Sequence, residues 1–130
     1  MTKALFLSLL GLLTLNGCSN DAICTTIPFK SEVSPDGNLV AKVDFKSCAA
    51  LKSATHLYVV PNDEKNSKTK KRMELLVGDG HLDIDFHWIS NDELKATFPK
   101  TGGYYRLNSV GFFKYRKEWY RVYVDFSIDE

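Results

Sequence analysis

The sequence predicts one mainly β domain, an antiparallel β-sandwich or partly open barrel of about seven or eight short strands. Three observations lead there. Apolar residues recur at every second position in runs such as Leu39-Ala41-Val43-Phe45 and Leu82-Ile84-Phe86-Trp88, the period of a half-buried strand. Clusters of turn-forming residues separate these runs at short intervals. Past the first 17 residues, no stretch sustains the 3.6-residue period of a helix.

The elements follow in order. Ile27 to Val33 is predicted as a first strand. Ser34-Pro35-Asp36-Gly37-Asn38 is a turn, because proline presets φ and glycine accepts a positive φ. Leu39 to Lys46 alternates, with Val40, Lys42, Asp44 and Lys46 on the face opposite Leu39, Ala41, Val43 and Phe45. Residues 49–54 are expected to form one helical turn. Thr55 to Val60 is a β-branched and aromatic strand stopped by Pro61, and Asn62 to Arg72 reads as an exposed polar loop. Met73 to Val77 is a strand that Gly78-Asp79-Gly80 breaks. His81 to Ile89 alternates, Ser90-Asn91-Asp92-Glu93 turns, and Leu94 to Phe98 is the next strand. After a loop at Pro99 to Gly103, Val110 to Tyr115 and Glu118 to Ile128 form a terminal hairpin around Arg116-Lys117. On its last strand Tyr120, Val122, Val124, Phe126 and Ile128 share a face. The loops are short, whereas a parallel pair needs a crossover of roughly a dozen residues or more, so antiparallel pairing is expected throughout.

Composition fits a single globular domain: 130 residues, 44% hydrophobic and 25% charged. There are 17 basic and 16 acidic residues, and Lys3 is the only charge among the first 17, so removing those leaves 16 against 16. A neutral domain argues against nucleic acid as partner, a role that shows as a basic excess. Any membrane contact is expected through the N-terminus.

Lys3 precedes an apolar run from Ala4 to Leu15. This run is shorter than the roughly 20 residues of a spanning helix and fits the core of a secretory signal. Leu15-Asn16-Gly17-Cys18 then resembles the lipobox of bacterial lipoproteins: Leu15 matches its hydrophobic position, Gly17 its small residue and Cys18 its thiol, while Asn16 departs from the short residue usual there. The resemblance implies a signal peptide at 1–17, a diacylglycerol thioether on Cys18, cleavage before it and acylation (typically palmitate) of the new amine. A tether at 18–26 and one β-rich domain at 27–130 would follow. It implies a cell-envelope protein held to the membrane by N-terminal lipid. Ser19 resembles the outer-membrane default, facing the periplasm, in a Gram-negative cell.

The chain has three cysteines, Cys18, Cys24 and Cys48. Acylation of Cys18 leaves an even pair, and an exported domain meets an oxidising compartment, so a Cys24–Cys48 disulfide is expected; two free buried thiols are the alternative.

Two phrases echo each other, Ser34-Pro35-Asp36-Gly37-Asn38-Leu39-Val40-Ala41 and Ser90-Asn91-Asp92-Glu93-Leu94-Lys95-Ala96. With Trp88 they resemble the hairpin phrase of β-propeller repeats, although the chain has room for two such meanders at most. The first phrase, followed by a strand and Cys48, also resembles a group of small β-rich bacterial lipoproteins. That likeness covers Ser34 to Phe98 and departs after the cysteine, where Ala49-Ala50-Leu51-Lys52 replaces the usual Gly-Ala-Thr-Thr. It implies an envelope protein and no catalytic residue.

Two constellations are candidates for function. Trp119, Arg121 and Tyr123 fall opposite the apolar face of the last strand, and these residue types are enriched at binding interfaces. They would meet an envelope protein or stack on a glycan; the alternative is that a second layer of the sandwich covers this face, or that cross-strand aromatic pairs stabilise the hairpin. His81, Asp83, Asp85 and His87 form an alternating row of imidazole and carboxylate, groups that ligate zinc and other transition metals. Asp83 and Asp85 could also work as an acid–base pair. The row spans some 20 Å at about 3.3 Å per residue, so only neighbours could share an ion, and the polar side of a half-buried strand explains the same residues. Lys65 to Arg72 carries five basic residues in eight, read as a solvated loop or a contact for anionic lipid or an acidic partner. The sequence holds no nucleophile-elbow, zincin, P-loop or dinucleotide motif, and no cofactor is expected. The expected function is a non-catalytic binding module tethered to the envelope. The alternatives are a metal-binding protein or hydrolase built on the His81–His87 row, and a structural envelope component.

Overall fold

The computed structural model describes residues 24–49, 51–63, 71–100 and 104–129. The signal peptide expected at 1–17, acylation at Cys18, the tether up to residue 23 and the lysines at 65, 68 and 70 lie outside these residues. The described residues form nine strands: β1 (Cys24–Val33), β2 (Leu39–Cys48), β3 (Leu51–Pro61), β4 (Met73–Asp79), β5 (Asp85–Ser90), β6 (Glu93–Pro99), β7 (Tyr104–Leu107), β8 (Val110–Tyr115) and β9 (Glu118–Asp129). They make two sheets, β1-β2-β3-β4-β7 and β5-β6-β9-β8, packed as a β-sandwich.

Alternation builds the core. Leu39, Ala41 and Val43 of β2 and Leu57 and Val59 of β3 meet Phe86, Leu94, Ala96, Phe98, Val122 and Val124 of the other sheet. Each fully buried Leu or Phe contributes roughly 1.5–3 kcal/mol of transfer free energy. Of the five residues expected on the inner face of the last strand, Val122 and Val124 are buried and Tyr120 and Phe126 pack against the core's edge. Ile128 is 52% exposed, although its register neighbour Phe98 on β6 is buried.

The mainly β sandwich that the sequence predicts is what forms, with nine strands among the described residues, four of them of ten residues or more. The structure corrects three further expectations. β1 begins at Cys24, so residues 24–26 of the expected tether belong to a strand paired with β2. Residues 49–54 make no helical turn; β3 starts at Leu51, which pairs with Cys48 across a tight connection. Finally, β6 and β9 pair in parallel, Glu93 beside Tyr123 through Pro99 beside Asp129. The chain makes that crossover with strands: β7 joins the other sheet before β8 and β9 return.

Two devices close the sandwich along its β1–β5 side. The Trp88 indole Nε1 donates to the Glu32 carbonyl at 2.9 Å, and the Trp88 amide donates to Glu32 Oε1 at 3.2 Å. Lys30 Nζ donates to Asp85 Oδ1 at 2.8 Å and sits 4.6 Å from the centre of the Phe86 ring. The segment from Gly80 to Ile84 crosses between the sheets and is tied down by Thr55. This fully buried hydroxyl donates to the Gly80 carbonyl at 2.7 Å and accepts from the Leu82 amide at 2.8 Å.

The two ends of the sandwich differ. Cys24 and Cys48 are register partners joined by a disulfide at one end. The opposite end gathers the turns at 34–38, 61–63, 90–92 and 116–117. There Asn62 bonds the carbonyls of Asn38 and Gly37 (both 2.9 Å), and Arg116 pairs with Asp63 at 2.6 Å. β1 separates the ends by roughly 30 Å.

Candidate functional site

β9 carries the site because it alternates at the surface of its sheet. Val122 is fully buried, while Trp119 is 68% exposed and Arg121 and Tyr123 share its outward face. The neighbouring edge strand adds to them: Phe112 opposes Arg121, and Val110 opposes Tyr123. Phe112 is itself 66% exposed, with its ring centre 6.2 Å from that of Trp119. The Arg121 guanidinium lies 5.1 Å from the centre of the Tyr123 ring, within cation–π range. The result is an outward ridge of three aromatic side chains and one cation. Sequence reasoning missed Val110 and Phe112, although the alternation of Val110-Gly111-Phe112-Phe113 placed them opposite buried Phe113.

Beside Trp119 the surface dips into a groove of about 480 Å³. The turn between β1 and β2 supplies Asp36 and Asn38, and the turn between β5 and β6 supplies Ser90, Asn91 and Asp92. Leu39 and Tyr120 also line it, and Trp119 and Arg121 form its side. The two walls therefore come from different sheets. They are also chemical copies. Ser34 Oγ donates to Asp36 Oδ1 at 2.7 Å, and Ser90 Oγ donates to Asp92 Oδ1 at 3.0 Å. The echo between the two phrases is thus a repeated Ser-x-Asp turn facing one groove, a role sequence reasoning did not assign to Asp36 or Asp92.

The first turn is the more tightly built. Ser34 is buried and its hydroxyl accepts from the Leu39 amide at 3.0 Å, while Asp36 Oδ1 accepts from the Asn38 amide and Oδ2 from the Asn38 side chain, both at 3.1 Å. Gly37 holds φ at 79°, which requires glycine. The Ser34 hydroxyl, with the Asn38 amide, keeps the Asp36 carboxyl below its ordinary range, so it stays ionised. The second turn is anchored to the ridge, because the Tyr123 amide donates to the Asp92 carbonyl at 2.8 Å.

The His81–His87 row does not assemble. Only Asp85 and His87 belong to β5; His81 and Asp83 lie on the segment that crosses between sheets. His81 packs edge-on against Phe29 and Phe45, with ring centres 5.0 and 5.4 Å away. Asp85 pairs with Lys30, whose ammonium lowers the Asp85 pKa by a hydrogen bond and by its charge. His87 stands beside Lys95 of β6. Among the described residues no group of three or more His, Cys, Asp or Glu side chains converges as a metal site.

Comparison with protein-family models, with curated proteins and with solved structures finds no match for the chain.

One further polar cluster covers the outer face of β2, β3 and β4. Tyr58 donates to Asp44, Arg72 lies 3.8 Å from the centre of the Tyr58 ring and pairs with Glu74, and His56 Nδ1 is 3.4 Å from Glu74 Oε1. Burial, and then the bond to Asp44, push the Tyr58 hydroxyl well above its ordinary pKa, so it remains a donor at any physiological pH. The cluster clamps three strands together. The groove, by contrast, leaves hydrogen-bonding capacity and an indole face turned to solvent. That arrangement can hold a ligand that offers hydroxyls along one edge and a flat apolar surface on another.

Proposed function

We propose that the chain is an exported, lipid-anchored bacterial envelope protein whose domain is a non-catalytic binding module, and that Trp119, Arg121 and Tyr123 meet its partner. The observation that carries this reading is the 68% exposure of Trp119 on a strand whose Val122 is fully buried. Leaving an indole in water forgoes a large hydrophobic gain, and Trp, Tyr and Arg are the residues that dominate binding energy when a partner covers them. The layout supports the anchor. Cys18 lies six residues before Cys24, and Cys24 is at the end of the sandwich opposite the ridge. A lipid on Cys18 would leave the ridge facing away from the membrane. Several acyl chains would make that attachment stable where one is marginal.

Two measurements on cells test the proposal. The intact mass of the chain extracted from membranes should match a polypeptide starting at acylated Cys18 and should gain two hydrogens on reduction. An unacylated, freely soluble chain would refute the anchor. A photoreactive residue replacing Tyr123 should crosslink an envelope component, and the adduct should vanish when Trp119→Ala is added; Lys95, on the same sheet beyond the ridge, is the control position. Equal crosslinking from both positions, or none, would refute the module.

A further inference from the structure

The groove beside the ridge narrows what the partner is. We propose that it binds a neutral saccharide, one pyranose ring lying on the Trp119 indole with its hydroxyls reaching Asp36, Asn38, Asn91 and Asp92. The inference rests on the binding-module reading and gives it a ligand class.

Size comes first. A volume of about 480 Å³ falls within the range of small-molecule sites, roughly 300–1,000 Å³. Such sites are mostly apolar, but this one is walled by two carboxylates and two carboxamides. Its ligand must therefore offer many hydrogen-bond donors and acceptors. Asp36 Oδ2 takes a single bond, from Asn38, and Asp92 Oδ1 takes one from Ser90. A carboxylate has about four acceptor sites, so both retain capacity for hydroxyl donors. Bonds from hydroxyls to carboxylates are charge-assisted and among the stronger ones. The Asn amides and Arg121 supply donors for the same hydroxyls.

Geometry adds to this. A pyranose has a face of C–H groups and a rim of hydroxyls, so it matches an exposed indole set beside polar turns. Each carboxylate is already oriented by a serine of its own turn, so little freedom is lost on binding. The other ligand classes fit less well. Two carboxylates against the single guanidinium of Arg121 leave the groove net acidic, which disfavours a phosphate or an acidic polymer. No described group of three acidic, cysteine or histidine side chains could hold a metal ion. A protein partner would have to cover and dehydrate both carboxylates, which costs unless each is paired. A sugar replaces their water hydroxyl for hydroxyl.

The test uses the full chain in micelles of a detergent without a sugar headgroup. It is titrated with the neutral oligosaccharides chitotetraose, cellotetraose, maltotetraose and mannotetraose. Calorimetry is one readout and tryptophan emission the other. The chain has two tryptophans, and Trp88 is buried with its indole nitrogen bonded to Glu32, so a ligand-dependent change in emission reports Trp119. Saturable binding to at least one probe is expected. Trp119→Ala should abolish it, and Asp92→Asn should weaken it about tenfold, the scale of one charge-assisted hydrogen bond, with cooperative melting retained in both. Trp119→Phe, which keeps a ring, should weaken it less than Trp119→Ala. If folded protein binds none of the probes, or if binding survives Trp119→Ala, the saccharide proposal is overturned. Should the Tyr123 crosslink still capture an envelope protein in that case, the module stands with a protein partner; if that crosslink fails as well, both fall.

Discussion

Arg116 and Lys117 turn the chain from β8 into β9 with φ of 49° and 68°. Both lie in the left-handed region, where a Cβ costs roughly 1–2 kcal/mol per residue. Hairpin turns of this hand favour Asn-Gly. Arg116 is offset by its ion pair with Asp63, so Lys117 is the position to relieve. Lys117→Gly is expected to raise the unfolding free energy by about 1 kcal/mol in denaturant titration; a loss would mean that the side chain holds the turn. Thr55 behaves oppositely, being buried with its hydroxyl bonded on both sides. Thr55→Val keeps the shape, strands the Leu82 amide, and should cost about 1–3 kcal/mol. Acid sensitivity also sits at this scale. Asp36 and Asp85 have folded pKa values below their ordinary range, held down chiefly by Ser34 and Lys30. Their stabilisation is therefore present above the unfolded value near ~4 and is lost as pH falls through the folded value. Melting temperature should drop below about pH 4, and Asp36→Asn should flatten part of that slope. An unchanged slope would show that Asp36 contributes nothing beyond its turn.

At the scale of elements, the disulfide is the largest single staple. It joins the first residue of β1 to the last of β2 across a separation of 24 residues. In the chain-entropy model such a loop stabilises by roughly 3 kcal/mol. The Cys24→Ser, Cys48→Ser double variant should lose about that much in urea, and an unchanged midpoint would show that strand pairing alone sets the register. Strand existence was legible because alternation is local: Leu82, Ile84, Phe86 and Trp88 are all buried, as their spacing required. What alternation does not carry is whether such residues belong to one strand. Leu82 and Ile84 lie on the crossing segment, buried by both sheets, and only Phe86 and Trp88 are in β5. Short loops also concealed the parallel β6–β9 pair, since the rule that parallel strands need long crossovers says nothing of crossovers made of other strands. Gly111 of β8 packs directly against side chains of β4. A Cβ there would lie 2.3 Å from Met73 Cγ and 2.9 Å from Leu75 Cδ2.

For the whole molecule, two ends with different chemistry are the central feature. One end holds Cys24 and Cys48, and the other gathers four turns, two of which wall the groove beside the ridge. The ridge was legible because Trp119, Arg121 and Tyr123 had to face away from Val122 and Val124. The groove was not, because its walls come from turns more than 50 residues apart in sequence, Asp36 and Asp92, and only the packing of two sheets brings them together. Their shared Ser-x-Asp pattern was visible as an echo, without any sign that both copies face the same groove. The claim on which everything else depends is that Trp119 belongs to a presented surface and Trp88 to the core. Unfolding free energies of Trp119→Ala and Trp88→Ala, measured side by side in denaturant, test it directly. Trp119→Ala is expected within about 0.5 kcal/mol of the parent, and Trp88→Ala to lose about 3–5 kcal/mol. If Trp119→Ala instead costs as much as Trp88→Ala, the indole holds the fold together and is not free to hold a partner.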